Sequence, residues 1–393
     1  MVGSANDRTR ATTPSHHERP AERFLPALSP NHCNMRRHMR RLVASVLLLA
    51  AACSPSATGT PGRAPAPVVV RDPERVAKLY VSDRAEDHPQ ADFDKERKDK
   101  AVTDSIFLAR STGVMTYRKV TYKSSADSLE IPAYLFAPLS RTGDARRAAM
   151  VWVHGGVHGD WDQMMWPFIK EAVERGYVII APDYRGSTGY GPQHFNAVDY
   201  GGKEVDDVRS AVEYLKSLSY VDADRLGMMG WSHGGYITSL ISFRSVPPVK
   251  AAVAMVPVTN LVFRLSYKGP GYQRLFATQS GLHGLPFEKQ EEYIKRSPLY
   301  HVDSLRIPFL VHVATNDTDV DYVEDRQMVD ALRARKADLA ETKIYVDPPV
   351  GAAGGGHTFN RRVNKETLER DDSPEQVDSW NLVWAFFAKH LRP

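Results

Sequence analysis

One stretch restricts the fold more than any other: Arg225 to Gly235, RLGMMGWSHGG. Leu226, Met228 and Met229 read as a short buried strand. Gly230-Trp231-Ser232-His233-Gly234 then fits G-x-S-x-G, and the apolar run from Gly235 to Ile241 reads as a helix. Strand, sharp turn and helix together give this motif chemical meaning. The turn lifts the Ser232 hydroxyl out of the sheet at a helix N-terminus, and it leaves the N–H of His233 free to stabilise an oxyanion. The bland alternative is a glycine-rich turn carrying an ordinary serine, so the rest of the chain has to decide.

A serine hydroxyl is a weak nucleophile at neutral pH and needs a base, which a carboxylate orients. Downstream, His312-Val313-Ala314 ends a buried strand and Asn316-Asp317-Thr318-Asp319 follows it. Asp317 is the first choice of carboxylate and Asp319 the second, with Asp319 or Asp321 available to cap the next helix. Gly354-Gly355-Gly356-His357 sets a histidine on a flexible loop after the strand Thr342–Val346, which makes His357 the candidate base. Of the alternatives His301, His312 and His390, His312 lies inside a strand and His390 on the last helix, so both read as packing. Val153-His154-Gly155-Gly156 ends another strand, where a glycine pair lets backbone N–H groups face a developing charge. His154, His158, Asp160 and Asp162 resemble metal ligands, but beside an apparent triad no metal or other cofactor is expected.

The remaining pattern is strands alternating with helices. Buried apolar runs at Ala148–Val153, Tyr177–Ala181, Ala251–Val256 and Pro308–Val313 alternate with helical spacing at Phe168–Arg175, Val205–Leu218, Val323–Arg335 and Asp378–Leu391. Half-buried strands precede them near Met115–Tyr122 and Leu129–Pro138. This order implies an α/β fold, a mostly parallel sheet with helices on both faces. Residues 259–305, rich in Tyr, Arg and Phe, interrupt the alternation and are expected to form a small lid. By position, Val258, Leu261, Tyr267 and Val320 are candidates for an apolar substrate pocket, with core packing as the alternative.

Composition is ordinary for a globular chain: 42% hydrophobic, 25% charged, net charge +4. Residues 1–41 hold eight arginines against three acids, a balance of +5, so the remainder is near −1 and offers no field for nucleic acid. Met39-Arg40-Arg41, the apolar run from Leu42 to Leu49 and Ala50-Ala51-Ala52-Cys53 read as a secretory signal. Cys53 after small residues resembles a lipobox, although Leu49 sits four residues before it rather than three. The expectation is an exported protein, a periplasmic or membrane-anchored bacterial lipoprotein tethered through Cys53, with plain cleavage and an incidental Cys53 as the alternative. Residues 1–38 read as an over-extended start or n-region, 54–71 as a flexible linker, and 72–114 as a charged extension with a solvated face. The catalytic domain is expected over 115–393. Nothing here sets the oligomeric state.

With these residues in place the chain resembles the prolyl oligopeptidase family of serine hydrolases, especially its dipeptidyl-peptidase and acylaminoacyl-peptidase branches. VHGG (153–156), APDYRGSTGYG (181–191), GWSHGGY (230–236), Asp317-Thr318-Asp319-Val320 and Gly356-His357 carry the likeness, in family order. The resemblance implies an α/β-hydrolase fold, a triad of Ser232, Asp317 and His357, and an oxyanion hole at His233 and the His154-Gly155 turn. It implies peptidase action on short peptides or aminoacyl amides, with a carboxylesterase on small acyl or sugar esters as the alternative. The chain departs from the pattern in three places. His233 stands where Tyr is typical after the nucleophile, His154 replaces an oxyanion Tyr as in the acylaminoacyl-peptidase branch, and residues 54–114 are too few for the family's β-propeller. Exopeptidase specificity, which the propeller supplies, does not carry over.

Overall fold

The computed structural model describes residues 90–139, 146–244, 246–279, 281–350 and 355–393. The readings of residues 1–38, 39–53 and 54–71, Cys53 included, lie outside the described residues. Everything described belongs to one compact unit.

Eight strands form one sheet in the order β1-β2-β4-β3-β5-β6-β7-β8. They are β1 Met115–Lys123, β2 Glu130–Pro138, β3 Arg147–Val153, β4 Val178–Pro182, β5 Val221–Trp231, β6 Ala251–Met255, β7 Phe309–Ala314 and β8 Ala340–Tyr345. β1 and β2 pair antiparallel, and β2 pairs antiparallel with β4. Every later pairing is parallel. The strands therefore need crossover helices, and these cover both faces of the sheet. Three of them are α2 (Trp166–Glu174), α3 (Lys203–Lys216) and α4 (His233–Phe243). After α5 (Leu261–Tyr267) come α6 (Tyr322–Arg335) and α7 (Pro374–Leu391).

Alternation along each strand sorts the core into two layers. Leu226 and Met228 of β5 join Val208, Val212, Ile237, Leu240 and Val329 under α3, α4 and α6. Met229 and Trp231 point the other way, to Phe168, Ile169, Trp380 and Phe387 under α2 and α7. That second layer holds an aromatic group in which Trp231 lies 5.3 Å from Trp152 and 5.7 Å from Trp380 between ring centroids. Strand β5 is thus anchored from both sides one residue before Ser232.

The charged stretch before β1 differs from expectation. Helix α1, Phe93–Ser111, buries Lys100, Thr103, Phe107 and Ser111 along one stripe. Phe107 packs edge-on to Tyr134 at 5.1 Å and to Phe136 at 5.4 Å. Lys100 is 3% exposed, with its ammonium 2.6 Å from Asp183 and 3.0 Å from Asp160. The rest of the helix faces solvent as the sequence suggests.

Residues 259–279 and 281–305 include short helices, α5 among them. They dock on α6 through Tyr267, whose hydroxyl donates to Glu324 and accepts from the Asp321 N–H at 3.2 Å. Asp321 caps α6, its carboxylate accepting from the Val323 N–H at 2.8 Å.

Candidate active site

The site is built at the carboxyl ends of β3, β5 and β7. Ser232 sits between β5 and α4 with φ 52° and ψ −118°, the strained conformation of a nucleophile turn. The turn is tight enough that a Cβ on Gly234 would lie 2.2 Å from the Val153 carbonyl oxygen. Only glycine fits there, which ties the elbow to the end of β3. The strain is held by backbone bonds: Ser232 N–H donates to Met255 O at 2.9 Å and its carbonyl accepts from Tyr236 N–H at 2.8 Å.

Asp317 and His357 come together although 40 residues separate them. His357 Nδ1 lies 2.7 Å from Asp317 Oδ2. The other carboxylate oxygen, Oδ1, accepts from the N–H groups of Asp319 at 2.8 Å and Val320 at 2.9 Å. With both oxygens occupied, the Asp317 carboxylate is fixed and holds the imidazole by Nδ1. Among the described residues no hydrogen bond joins His357 to Ser232. His357 Nε2 instead lies 3.5 Å from Asp319 Oδ2. Catalytic hydrogen bonds are commonly long without substrate and tighten when it binds. Asp319 is itself paired with Lys268 at 2.6 Å and Arg264 at 3.6 Å. Burial opposes its ionisation, but the charges of His357, Arg264 and Lys268 hold its pKa down to about 2.

The oxyanion candidates separate into backbone and side chain. Gly155 abuts Ser232: a Cβ there would lie 3.2 Å from Ser232 Cβ. Its N–H donates to no other described group, so it remains available to a ligand. The His154 imidazole is taken up elsewhere, stacked on Tyr184 at 4.3 Å with Nε2 2.9 Å from Ser187 Oγ. Burial pushes it down to about 4, against the charge of Asp183, so the ring is neutral near pH 7. The His233 ring is also buried, with Nε2 2.8 Å from Glu204 Oε1, and only its backbone lies at the turn.

The four residues that resembled metal ligands each have another partner. Asp160 pairs with Lys100, Asp162 accepts from the Met164 N–H at 2.8 Å, and His158 bonds Gly186 O at 2.8 Å. Val258, Leu261 and Val320 have no exposed surface and belong to the main core layer, so they pack rather than present. Tyr267 is half-buried and spends its hydroxyl on Glu324. Of the alternative bases, His312 is fully buried against Ser379 at 2.9 Å and His301 bonds Lys295 O at 2.8 Å. Sequence reading missed Glu204, Lys100 and Arg361. None belongs to a motif, and each acquires its partners only through the fold.

The family model of the prolyl oligopeptidase family matches residues 165–369, just over half of the chain. The chain belongs to the prolyl oligopeptidase family. Among its relatives in that family is the uncharacterised peptidase YuxL of Bacillus subtilis, 28% identical over 80% of this chain and 45% of the relative. Dipeptidyl aminopeptidase BIII of Pseudoxanthomonas mexicana is 29% identical over 62% of this chain and 36% of its own length. The human acylamino-acid-releasing enzyme is 27% identical over 53% and 29% respectively. The chain thus spans less than half the length of these relatives. In structure it resembles an acylaminoacyl peptidase in complex with Z-Gly-Gly-Phe-chloromethyl ketone, with TM-score 0.56 and 21% identity over 71% of this chain and 42% of that one. The acylaminoacyl peptidase of Pyrococcus horikoshii gives TM-score 0.56 at 20% identity, over 73% and 43%. These two likenesses show the α/β-hydrolase fold of the family.

Proposed function

We propose that this chain is a serine peptidase that cleaves short peptides or aminoacyl amides through an acyl-enzyme. The observation that carries the reading is the His357–Asp317 pair at 2.7 Å beside a serine held at positive φ in a strand-to-helix turn. Ser232 Oγ attacks the carbonyl carbon, and His357 Nε2 takes the hydroxyl proton. Asp317 keeps Nδ1 protonated and stabilises the imidazolium that forms. The backbone N–H groups of His233 and Gly155 receive the oxyanion, an interaction of a few kcal/mol in such chemistry. His357 then returns the proton to the leaving amine, and water releases the acyl group by the same steps. No step draws on a metal or other cofactor.

The family relatives named as peptidases support amide cleavage, and the test is direct. Chromogenic acyl esters are run against aminoacyl and dipeptidyl anilides, with Ser232→Ala alongside. The expected result is amide turnover that falls on the order of 10⁴- to 10⁶-fold in the variant, as in dissected triads. Turnover of esters with no amide would make the chain a carboxylesterase on small acyl or sugar esters. Retention of most activity by Ser232→Ala would remove Ser232 from the nucleophile role.

A further inference from the structure

Arg361 follows His357 by four residues and turns back toward the nucleophile. Its Nη1 lies 3.7 Å from the point where a Cβ on Gly155 would sit, and Ser232 Cβ is 3.2 Å from the same point. At most about 7 Å therefore separates the guanidinium from Ser232 Cβ. The group lies over the Trp231 ring at 5.3 Å, and Nη2 donates to His357 O at 3.4 Å.

Part of its guanidinium is unused. Its Nε is buried without a hydrogen-bond partner. Among the described residues no carboxylate stands within ion-pair distance of it. The three fully buried arginines among the described residues are paired: Arg185 with Asp207 and Asp127, Arg264 with Glu324 and Asp319, Arg296 with Asp199 and Glu292. Arg244, half-buried like Arg361, also lacks a carboxylate among the described residues but donates to the Gly201 and Lys295 carbonyls. Lys268, also near the site, is taken by Asp319. Burial lowers the Arg361 pKa to about 10, partly offset by Asp162, Asp317 and Asp319, so it is cationic at neutral pH. A desolvated cation with unused donors is costly unless an anion meets it. The planar fork of arginine suits a carboxylate, which it binds through two parallel hydrogen bonds.

We propose that Arg361 is a specificity residue that receives a carboxylate carried by the substrate within one residue of the scissile bond. The proposal rests on Ser232 being the nucleophile. One residue spans about 3.8 Å between Cα atoms, so a carboxylate on the neighbouring residue falls within the reach of this guanidinium. Two sources present that chemistry: a free C-terminal carboxylate just after the bond, or an acidic side chain just before it.

Two matched substrate pairs separate them. One pair is an N-acyl dipeptide with a free C-terminus and its C-terminal amide. The other is an acyl-Glu anilide and its Gln counterpart. In the wild-type chain the acid of one pair is expected to show kcat/KM about 10- to 100-fold above its neutral partner, mainly through KM, the scale of a charge-assisted hydrogen bond. That ratio should collapse to near one in Arg361→Met and be intermediate in Arg361→Lys. Absence of preference in both pairs, or an unchanged ratio in Arg361→Met, overturns the proposal. If Arg361→Met does not fold, an unchanged ratio in Arg361→Lys overturns it. Calorimetry with Ser232→Ala reads binding of the same dipeptide acid and its amide without turnover. Tighter binding of the acid, lost when Arg361→Met is added or reduced when Arg361→Lys is added, supports the carboxylate site even if Ser232 proves not to be the nucleophile. Equal binding of acid and amide, with no kinetic preference in either pair, counts against it.

Discussion

Ser232, Asp317 and His357 stand out as candidates in the sequence because local punctuation marks them. Glycines flank the serine and precede the histidine, and the acid stands in the loop directly after a buried strand. Pairing across long sequence separations is not written locally. Glu204 meets His233 over 29 residues, and nothing around either one marks the contact. Two other histidines carry a consequence for stability. Burial drives His154 down to about 4, with Asp183 opposing, and His312 down to about 3, with Asp378 opposing. An unfolded histidine titrates near pH 6.5, so the unfolded chain binds protons that the folded chain refuses. The neutral rings cost nothing above about pH 6.5, and stability falls as pH drops from there toward 4. His312 alone accounts for a loss on the order of 3 kcal/mol by pH 4. Urea unfolding of His312→Asn should show a visibly flatter decline over that window than the wild type. Parallel declines would mean that His312 does not titrate on unfolding.

At the level of elements, β1 to β8 follow the apolar runs and alternations read from the sequence, with ends shifted by one or two residues except at β5, which begins at Val221, five residues before Leu226. The charge density of α1 marks an exposed helix, but its buried face is hidden in the sequence because the inward stripe is mostly polar. Lys100, Thr103, Phe107 and Ser111 recur at helical spacing, but only one of the four is apolar, so no hydrophobic periodicity announces the buried face. The stripe works through ion pairing. Lys100 bridges Asp160 and Asp183 and donates to Trp161 O at 2.8 Å, while Asp183 accepts from Trp161 N–H at 2.8 Å. The helix thereby pins the loop that follows His154 and Gly155. Removing one member of a buried pair strands the other charge, at about 3–5 kcal/mol. Lys100→Met should lower unfolding stability by that amount, and adding Asp183→Asn should recover part of it. A loss below about 1 kcal/mol would mean that the pair is solvated and the helix is an accessory.

Across the whole molecule, the fold was readable because alternating strands and helices admit few arrangements, and a parallel sheet needs both faces covered. The insertion at 259–305 interrupts that alternation and is where the sequence leads one to expect a lid. It packs on α6 through Tyr267 and Glu324, and its apolar residues Leu261 and Leu265 enter the main core layer. Two apolar layers fix β5 while its last residue leads into a strained turn, so the rigidity of the core is what keeps Ser232 in place. The most direct test of the account is covalent labelling with a fluorophosphonate, followed by mass-spectrometric mapping of the modified peptide. The account predicts a single adduct on Ser232, absent from Ser232→Ala and strongly slowed in His357→Ala. An adduct on another serine, or none on a folded chain, would contradict it.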